Sequence, residues 1–140
     1  MKRFTVLQIM QFILVHYARA RDWNAPQLFN WICWNIEHGF CLLVGDDDKI
    51  QGLAFVRTMM LKDCAKEMHT LYFDPEGDTY FVDLAIAPNP KLQALQALGF
   101  AGHKRFGQRD YIAYQRQGEG PVIITNAREH RNKILRKHKV

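Results

Sequence analysis

Apolar and polar residues follow a helical period in the first third of the chain. Residues 4–18 place apolar side chains on nearly every side of a helix, which is more than one amphipathic stripe requires. Such a helix is either deeply packed or covered by a partner. A second helix is predicted to begin after Asn24, with Pro26 in its first turn, and to end near Gly39, because Asn is a favoured capping residue and Pro fits the first helical turn.

From Phe40 the pattern changes to the shorter period of strands. Two apolar segments flank the acidic turn at 46–49 and predict a β-hairpin. The predicted strands are residues 40–45, 50–58, 79–87, 100–106 and 110–116. A short helix over residues 91–98 separates the third predicted strand from a closing antiparallel pair. The sequence therefore predicts an α/β fold with a mixed, mostly antiparallel sheet flanked by helices.

The last part of the chain differs in composition. Residues 118–125 contain Gly118, Gly120 and Pro121, which predicts a linker between a domain over 1–117 and a tail over 126–140. The 13 basic and 13 acidic residues of 1–127 cancel, so the net charge of +5 arises beyond them. The basic residues responsible are Arg128, Arg131, Lys133, Arg136, Lys137 and Lys139. This density of cations is typical of segments that bind nucleic acid or an acidic protein surface.

The composition limits the class of protein. With 140 residues and 48% hydrophobic content, the chain can bury one core, and it offers no uninterrupted apolar run long enough for a membrane span. Its three cysteines are an odd number without a C-x-x-C spacing, so neither a disulfide framework nor a zinc ribbon is predicted. A reducing compartment is expected, either the cytoplasm or a virus particle assembled there.

The acidic turn and the isolated His and Cys residues give no metal site. The turn at 46–49 lacks the Gly and distal Glu of a calcium loop. Cys64 and His69 with Asp63 lack the second ligand pair of a structural zinc site. No metal or other cofactor is predicted.

Three fragments resemble the GNAT acetyltransferase superfamily over residues 1–116. KIQGLAFV resembles the family's hairpin strand, VDLAIAP is similar to its central strand, and NPKLQALQALGF resembles the signature that leads into its final strands. The resemblance implies a GNAT-like fold and an acyl-coenzyme A donor. Compact GNAT-like proteins are known among tailed phages, and this implies a virion or assembly component as one context.

Two features that the family needs for catalysis are absent from this sequence. Its Gly-rich loop holds the coenzyme A pyrophosphate through backbone N–H groups at a helix N-terminus, whereas only the residues PNP separate Ala87 from Lys91. We therefore expect the coenzyme A loop and its helix to be lacking. The family's tyrosine proton donor is replaced by Leu95.

A second resemblance covers the first 90 residues. The toxin-activating lysine acyltransferases use an Asp within a motif that FVDLAIAP resembles, and Asp83 takes that place. Their catalytic His corresponds to Ala20, so His16, one helical turn earlier, is the candidate replacement base. In the alternative interpretation, Asp83 is a strand carboxylate bonded to a neighbouring N–H or to an Arg, and His16 is a core residue.

These observations predict two functions of different classes. The first is a non-catalytic binding or structural module that uses the apolar first helix and the basic tail to contact a protein partner, a larger assembly, nucleic acid or another acidic surface. The alternative is an acyltransferase that takes its acyl group from coenzyme A or acyl carrier protein, with Asp83 and His16 as catalytic residues.

Overall fold

The computed structural model of the chain describes residues 4–46, 48–116 and 119–130. It contains a five-stranded mixed sheet in the order β1-β2-β3-β4-β5. The strands are β1 (Cys41–Gly45), β2 (Ile50–Met59), β3 (Thr79–Ile86), β4 (Tyr111–Arg116) and β5 (Glu119–Asn126). The α-helices are α1 (Val6–His16), α2 (Ala25–Glu37), α3 (Cys64–Glu67) and α4 (Ala94–Phe106). In the described ranges, no helix combines the length and the apolarity needed to cross a bilayer.

Local capping fixes the starts of the first two helices. The Thr5 hydroxyl accepts from the Gln8 N–H at 3.1 Å, and the Gln8 side-chain oxygen accepts from the Thr5 N–H at 2.7 Å, so two otherwise unpaired donors are satisfied. The Asn24 side chain accepts from the Gln27 N–H at 3.0 Å, and Pro26 lies in the first turn of α2. This confirms the predicted start of the second helix.

The predicted hairpin is confirmed. Strands β1 and β2 pair antiparallel, with Leu43 opposite Leu53. In the turn between them, Asp46 Oδ1 accepts from the N–H groups of Asp48 and Lys49. Every residue from 52 to 59 in β2 is buried, which is typical of an inner strand covered on both faces.

The second half of the sheet mixes the two strand directions. β3 and β4 are parallel, with Phe81 opposite Ala113, and α4 provides the crossover that a parallel connection requires. β4 and β5 are antiparallel, with Ala113 opposite Ile124. The α/β class and the mixed sheet agree with the prediction.

The predicted strand over residues 100–106 is wrong. These residues form the second half of α4, which has 13 residues rather than two turns. The reason is tertiary: Ala94, Leu98 and Gly102 are buried at a spacing of four, and this spacing gives the helix one continuous buried face. The helix predicted over residues 91–98 therefore begins at Ala94 and extends to Phe106.

The predicted linker is also incorrect, because residues 119–126 form β5. The β-branched residues from Val122 to Thr125 favour a strand, and they pair with β4. Asn126 Oδ1 accepts from the N–H groups of Arg128 and Glu129, so Asn126 caps the helical turn that begins at Ala127. Five of the predicted contact residues lie outside the described residues: Arg131, Lys133, Arg136, Lys137 and Lys139.

The chain divides into two compact units. The first comprises residues 1–55 and 85–99, and the second comprises 56–84 and 100–140. In the first unit, the fully buried apolar side chains include those of Ile9, Ile13, Ile32, Leu42 and Phe55. In the second unit, Met59, Cys64, Phe81 and Ala113 form a core against which Met68 and Val122 pack.

Candidate functional site

Asp83, the predicted catalytic acid, forms a buried ion pair with Arg57. Arg57 Nε donates to Asp83 Oδ2 at 2.8 Å, and Arg57 Nη2 donates to Asp83 Oδ1 at 3.0 Å. The two residues lie in β2 and β3, 26 positions apart, and both belong to the second unit. A two-bond geometry of this kind fixes both the position and the orientation of the carboxylate.

The remaining donors of Arg57 hold the segment that follows α3. Nη1 donates to the carbonyl oxygens of Thr70 and Tyr72 at 2.7 and 2.8 Å. Nη2 donates to those of Glu67 and Met68 at 3.2 and 3.1 Å. A guanidinium has five N–H donors, and all five are engaged by these carbonyls and by Asp83.

Burial explains why Arg57 needs so many partners. The residue is 1% exposed, and its guanidinium carbon lies 5.1 Å from the centre of the Phe81 ring, within the range of a cation–π contact. A buried charge is tolerated only when it is paired and fully hydrogen-bonded. The Arg57 cluster, which we define as Arg57, Asp83, Phe81 and the backbone of residues 67–72, meets this condition.

Two opposing effects set the protonation of Asp83. Burial, the larger effect, raises the pKa of its carboxyl group to about 6, and the charge and hydrogen bonds of Arg57, with the charge of His69, act against it. The guanidinium is shared with four carbonyl oxygens, so its attraction does not cancel the cost of burying the carboxylate. At neutral pH, Asp83 is mainly ionised and bound to Arg57.

His16, the other predicted catalytic residue, lies at the end of α1 in the first unit. Its ring packs against Phe12, with 4.7 Å between ring centres, and the side chain is exposed. Asp83 lies in the second unit and accepts from Arg57. Because the His16 side chain is exposed at the end of α1, the alternative prediction that His16 is a core residue is incorrect.

The connection between β3 and α4 is the segment in which the resemblance places a coenzyme A loop and from which we expected that loop to be lacking. It spans residues 87–93, which contain no glycine. Asn89 Oδ1 accepts from the Lys91 N–H at 3.0 Å at the start of a 3₁₀ turn, and Gln93 adopts a positive φ of 54°. Leu95, which the resemblance would align with the family's proton donor, is exposed in the first turn of α4.

Sequence reasoning missed Arg57, although a signal was present. It is the one charged residue in the apolar run LAFVRTMM, and a charge in a buried strand requires an opposite charge. Asp83 interrupts a similar apolar run, FVDLAI. The two runs could have been matched as neighbouring strands that share one ion pair.

A second arginine, Arg109, anchors the turn that follows this segment. Arg109 donates through Nη1 to the carbonyl oxygens of Pro75 and Gly77 at 2.9 and 2.5 Å. Its Nε and Nη2 donate to the Phe106 carbonyl oxygen at 3.1 and 2.7 Å. Both arginines therefore act on backbone carbonyls, which is a structural use of the side chain.

The described residues hold no group of three His, Cys, Asp or Glu side chains arranged for a metal ion. The family resemblance stays a prediction, because comparisons with protein-family models, curated proteins and solved structures give no match.

Proposed function

We propose that the chain is a non-catalytic binding or structural module with a GNAT-like fold, which contacts its partner through α1 and the basic C-terminal residues. The Arg57–Asp83 pair carries this proposal. Each Asp83 oxygen accepts from Arg57, and all the donors of Arg57 are engaged. A general base must reach the proton that it removes, whereas Asp83 reaches Arg57.

The exposed face of α1 supports a role in contacts. Leu7 is 69% exposed and Val15 is 56% exposed, and a spacing of eight places them on one side of the helix. In α2, Phe29 and Ile36 are also exposed. Large apolar side chains grouped on a surface often mark an interaction site.

The basic C-terminal residues supply the second contact. Residues 128–139 hold six Lys or Arg and one acidic residue, which favours an acidic protein surface or nucleic acid as the partner. A component of a phage virion, or of its assembly, would meet both kinds of partner during packaging and assembly. The proposal places the protein in that context.

The donor test separates this proposal from the alternative, an acyltransferase that uses Asp83. A ligand at 100 times its Kd stabilises a protein by roughly 2.7 kcal/mol. We expect acetyl-coenzyme A and acyl carrier protein to leave the melting temperature unchanged. Adenosine 3′,5′-bisphosphate serves as the control for attraction of phosphate groups to the basic residues. A saturable shift with the acyl donor alone would favour the enzyme.

The tail test uses two full-length variants matched in charge. In one, Lys133, Lys137 and Lys139 are changed to Gln. In the other, the exposed residues Lys62, Lys91 and Lys104 are changed to Gln. Each phosphate contact contributes about −0.9 to the log–log salt slope of DNA binding, so we expect the first variant to lose roughly three such contributions. Equal losses in both variants would show attraction by net charge and contradict a specific role for the tail.

A further inference from the structure

The Arg57 cluster holds an exposed apolar pair in a fixed position. Leu71 is 56% exposed and Tyr72 is 40% exposed, while the carbonyl oxygens of Thr70 and Tyr72 accept from the buried Arg57. We call this pair the Leu71–Tyr72 surface. Because its backbone is already ordered, binding there requires little additional loss of conformational entropy.

Acidic side chains lie around this surface. The pKa of the Tyr72 hydroxyl is raised, first by partial desolvation and to a smaller extent by the negative charges of Asp63, Asp74 and Glu67. The negative potential of these three carboxylates therefore reaches the Tyr72 side chain. Residues 61–78 contain five acidic residues and two lysines. An occupant of the Leu71–Tyr72 surface should therefore combine positive charge with a small apolar patch.

The C-terminal residues of the same chain have this composition. Residues 131–140, RNKILRKHKV, contain five Lys or Arg, no acidic residue, and the adjacent pair Ile134 and Leu135. The charge is complementary to that of residues 61–78. The apolar pair is complementary to Leu71 and Tyr72.

The chain leaves the sheet close to this acidic segment. After β5, the Ala127 N–H donates to the Asp110 carbonyl oxygen at 2.9 Å, and the Asp110 N–H donates to the Asp78 carbonyl oxygen at 2.8 Å. The C-terminal residues therefore start two hydrogen bonds away from Asp78, within the second unit. Ten residues can extend about 33 Å, which is enough to reach a surface in the same unit.

We propose that the Leu71–Tyr72 surface is the docking site for residues 131–140 of the same chain. This inference rests on the proposed role of these residues as a contact segment and adds a regulation to it. In the docked state, Ile134 and Leu135 contact Leu71 and Tyr72, and the cations lie near Asp63, Glu67 and Asp74. An external acidic partner must then compete with this surface for the basic residues.

The test is carbodiimide cross-linking of the full-length protein, which joins a lysine to a carboxylate only where the two touch. We expect amide bonds from Lys133, Lys137 or Lys139 to Asp63, Glu67 or Asp74, found in the monomer by peptide mass spectrometry. The acidic turn of the first unit is the internal control, because Asp46 and Asp48 offer similar charge. Equal yields at the turn, or bonds found only in dimers, would overturn the proposal.

Variants on the surface separate apolar docking from attraction by charge alone. Leu71→Ser with Tyr72→Ser keeps every carboxylate and should lower the cross-link yield several-fold. The matched control, Leu92→Ser with Leu95→Ser, removes two other exposed apolar side chains and should leave the yield unchanged. A yield unaffected by the first variant would refute the proposal. Since no partner is added, the outcome is independent of whether the DNA-binding and acyl-donor tests succeed.

Discussion

Arg57 and Asp83 form one ion pair, but their replacement should have unequal effects. Arg57→Met leaves a buried carboxylate and four carbonyl oxygens without their donor, so we expect the free energy of unfolding to fall by about 3 kcal/mol or more. Asp83→Asn leaves Arg57 with its four carbonyl acceptors, so the loss should be smaller. Urea denaturation at pH 7 measures both. The exposed Asp22→Asn is the control, with an expected change below about 0.5 kcal/mol.

The pH dependence of stability tests the balance of forces on Asp83. Folding raises the pKa of its carboxyl group from 3.8 to about 6, so the folded chain retains a proton that the unfolded chain releases between these values. The contribution of Asp83 to stability therefore falls as pH rises through this window. Relative to Asp83→Asn, the wild type should lose stability from pH 4 to pH 7. A gain over the same range would mean that Arg57 outweighs burial.

Cys64 is expected to be the least reactive of the three cysteines. It is 1% exposed, whereas Cys33 and Cys41 are half-buried. Burial, together with the charges of Asp78 and Asp63, raises the pKa of the Cys64 thiol to about 11. Thiolate is the reactive form, so iodoacetamide at pH 8 should modify Cys33 and Cys41 first and Cys64 only in urea. Rapid modification of Cys64 in the native protein would contradict its place in the core.

Close packing between β2 and the turn after residue 74 should make Gly77 irreplaceable. A Cβ on Gly77 would collide with the backbone atoms of Met59, and backbone cannot move aside as the end of a flexible side chain can. We expect Gly77→Ala to lower the free energy of unfolding by roughly 1–3 kcal/mol, measured by urea denaturation.

Gly99 provides the matched control for that substitution. It lies within α4, and a Cβ there would meet nothing within 4 Å. Because Ala favours a helix over Gly, Gly99→Ala should stabilise the protein by up to about 1 kcal/mol. If both substitutions destabilised to the same extent, the close approach at Gly77 would not be the cause.

The sequence correctly predicted the helix start and the hairpin that depend on interactions between neighbouring residues. The cap at Asn24 and the hairpin around Asp46 depend on neighbouring residues, and both formed as expected. The end of α4 was missed because the fragment ending in LGF resembled the lead into a strand, and β5 was missed because Gly118, Gly120 and Pro121 suggested a linker. Burial of one helix face and pairing with β4 decided the outcome. Propensity is a weak guide where tertiary contacts disagree with it.

Only one of the two residues of the candidate ion pair was predicted, because the pairing again depends on contacts between distant parts of the chain. Asp83 was identified from a motif, but its partner lies 26 residues away in another strand. Strand order and register decide which side chains face each other across a sheet. Neither can be read from the residues of β2 and β3 alone. The alternative interpretation of Asp83, a carboxylate bonded to an Arg, is therefore confirmed, but the sequence did not identify that Arg as Arg57.

At the scale of the whole molecule, the excess positive charge and the exposed apolar face of α1 are separated along the chain. The excess charge lies beyond residue 127, whereas Leu7 and Val15 project from α1 near the start. A partner that uses both must present an apolar contact and an acidic one.

The exposed face of α1 can be tested against its buried face. Ile9 is 1% exposed, so Ile9→Ala should lower the free energy of unfolding by about 2 kcal/mol or more. Leu7→Ser with Val15→Ser should change it by no more than about 1 kcal/mol, because single surface substitutions usually cost less than 0.5 kcal/mol. The same variant should bind less of a hydrophobic dye and elute earlier from a hydrophobic-interaction column. If it were as destabilised as Ile9→Ala, the chain itself would cover this face, and α1 could not serve as the contact surface that the proposed function requires.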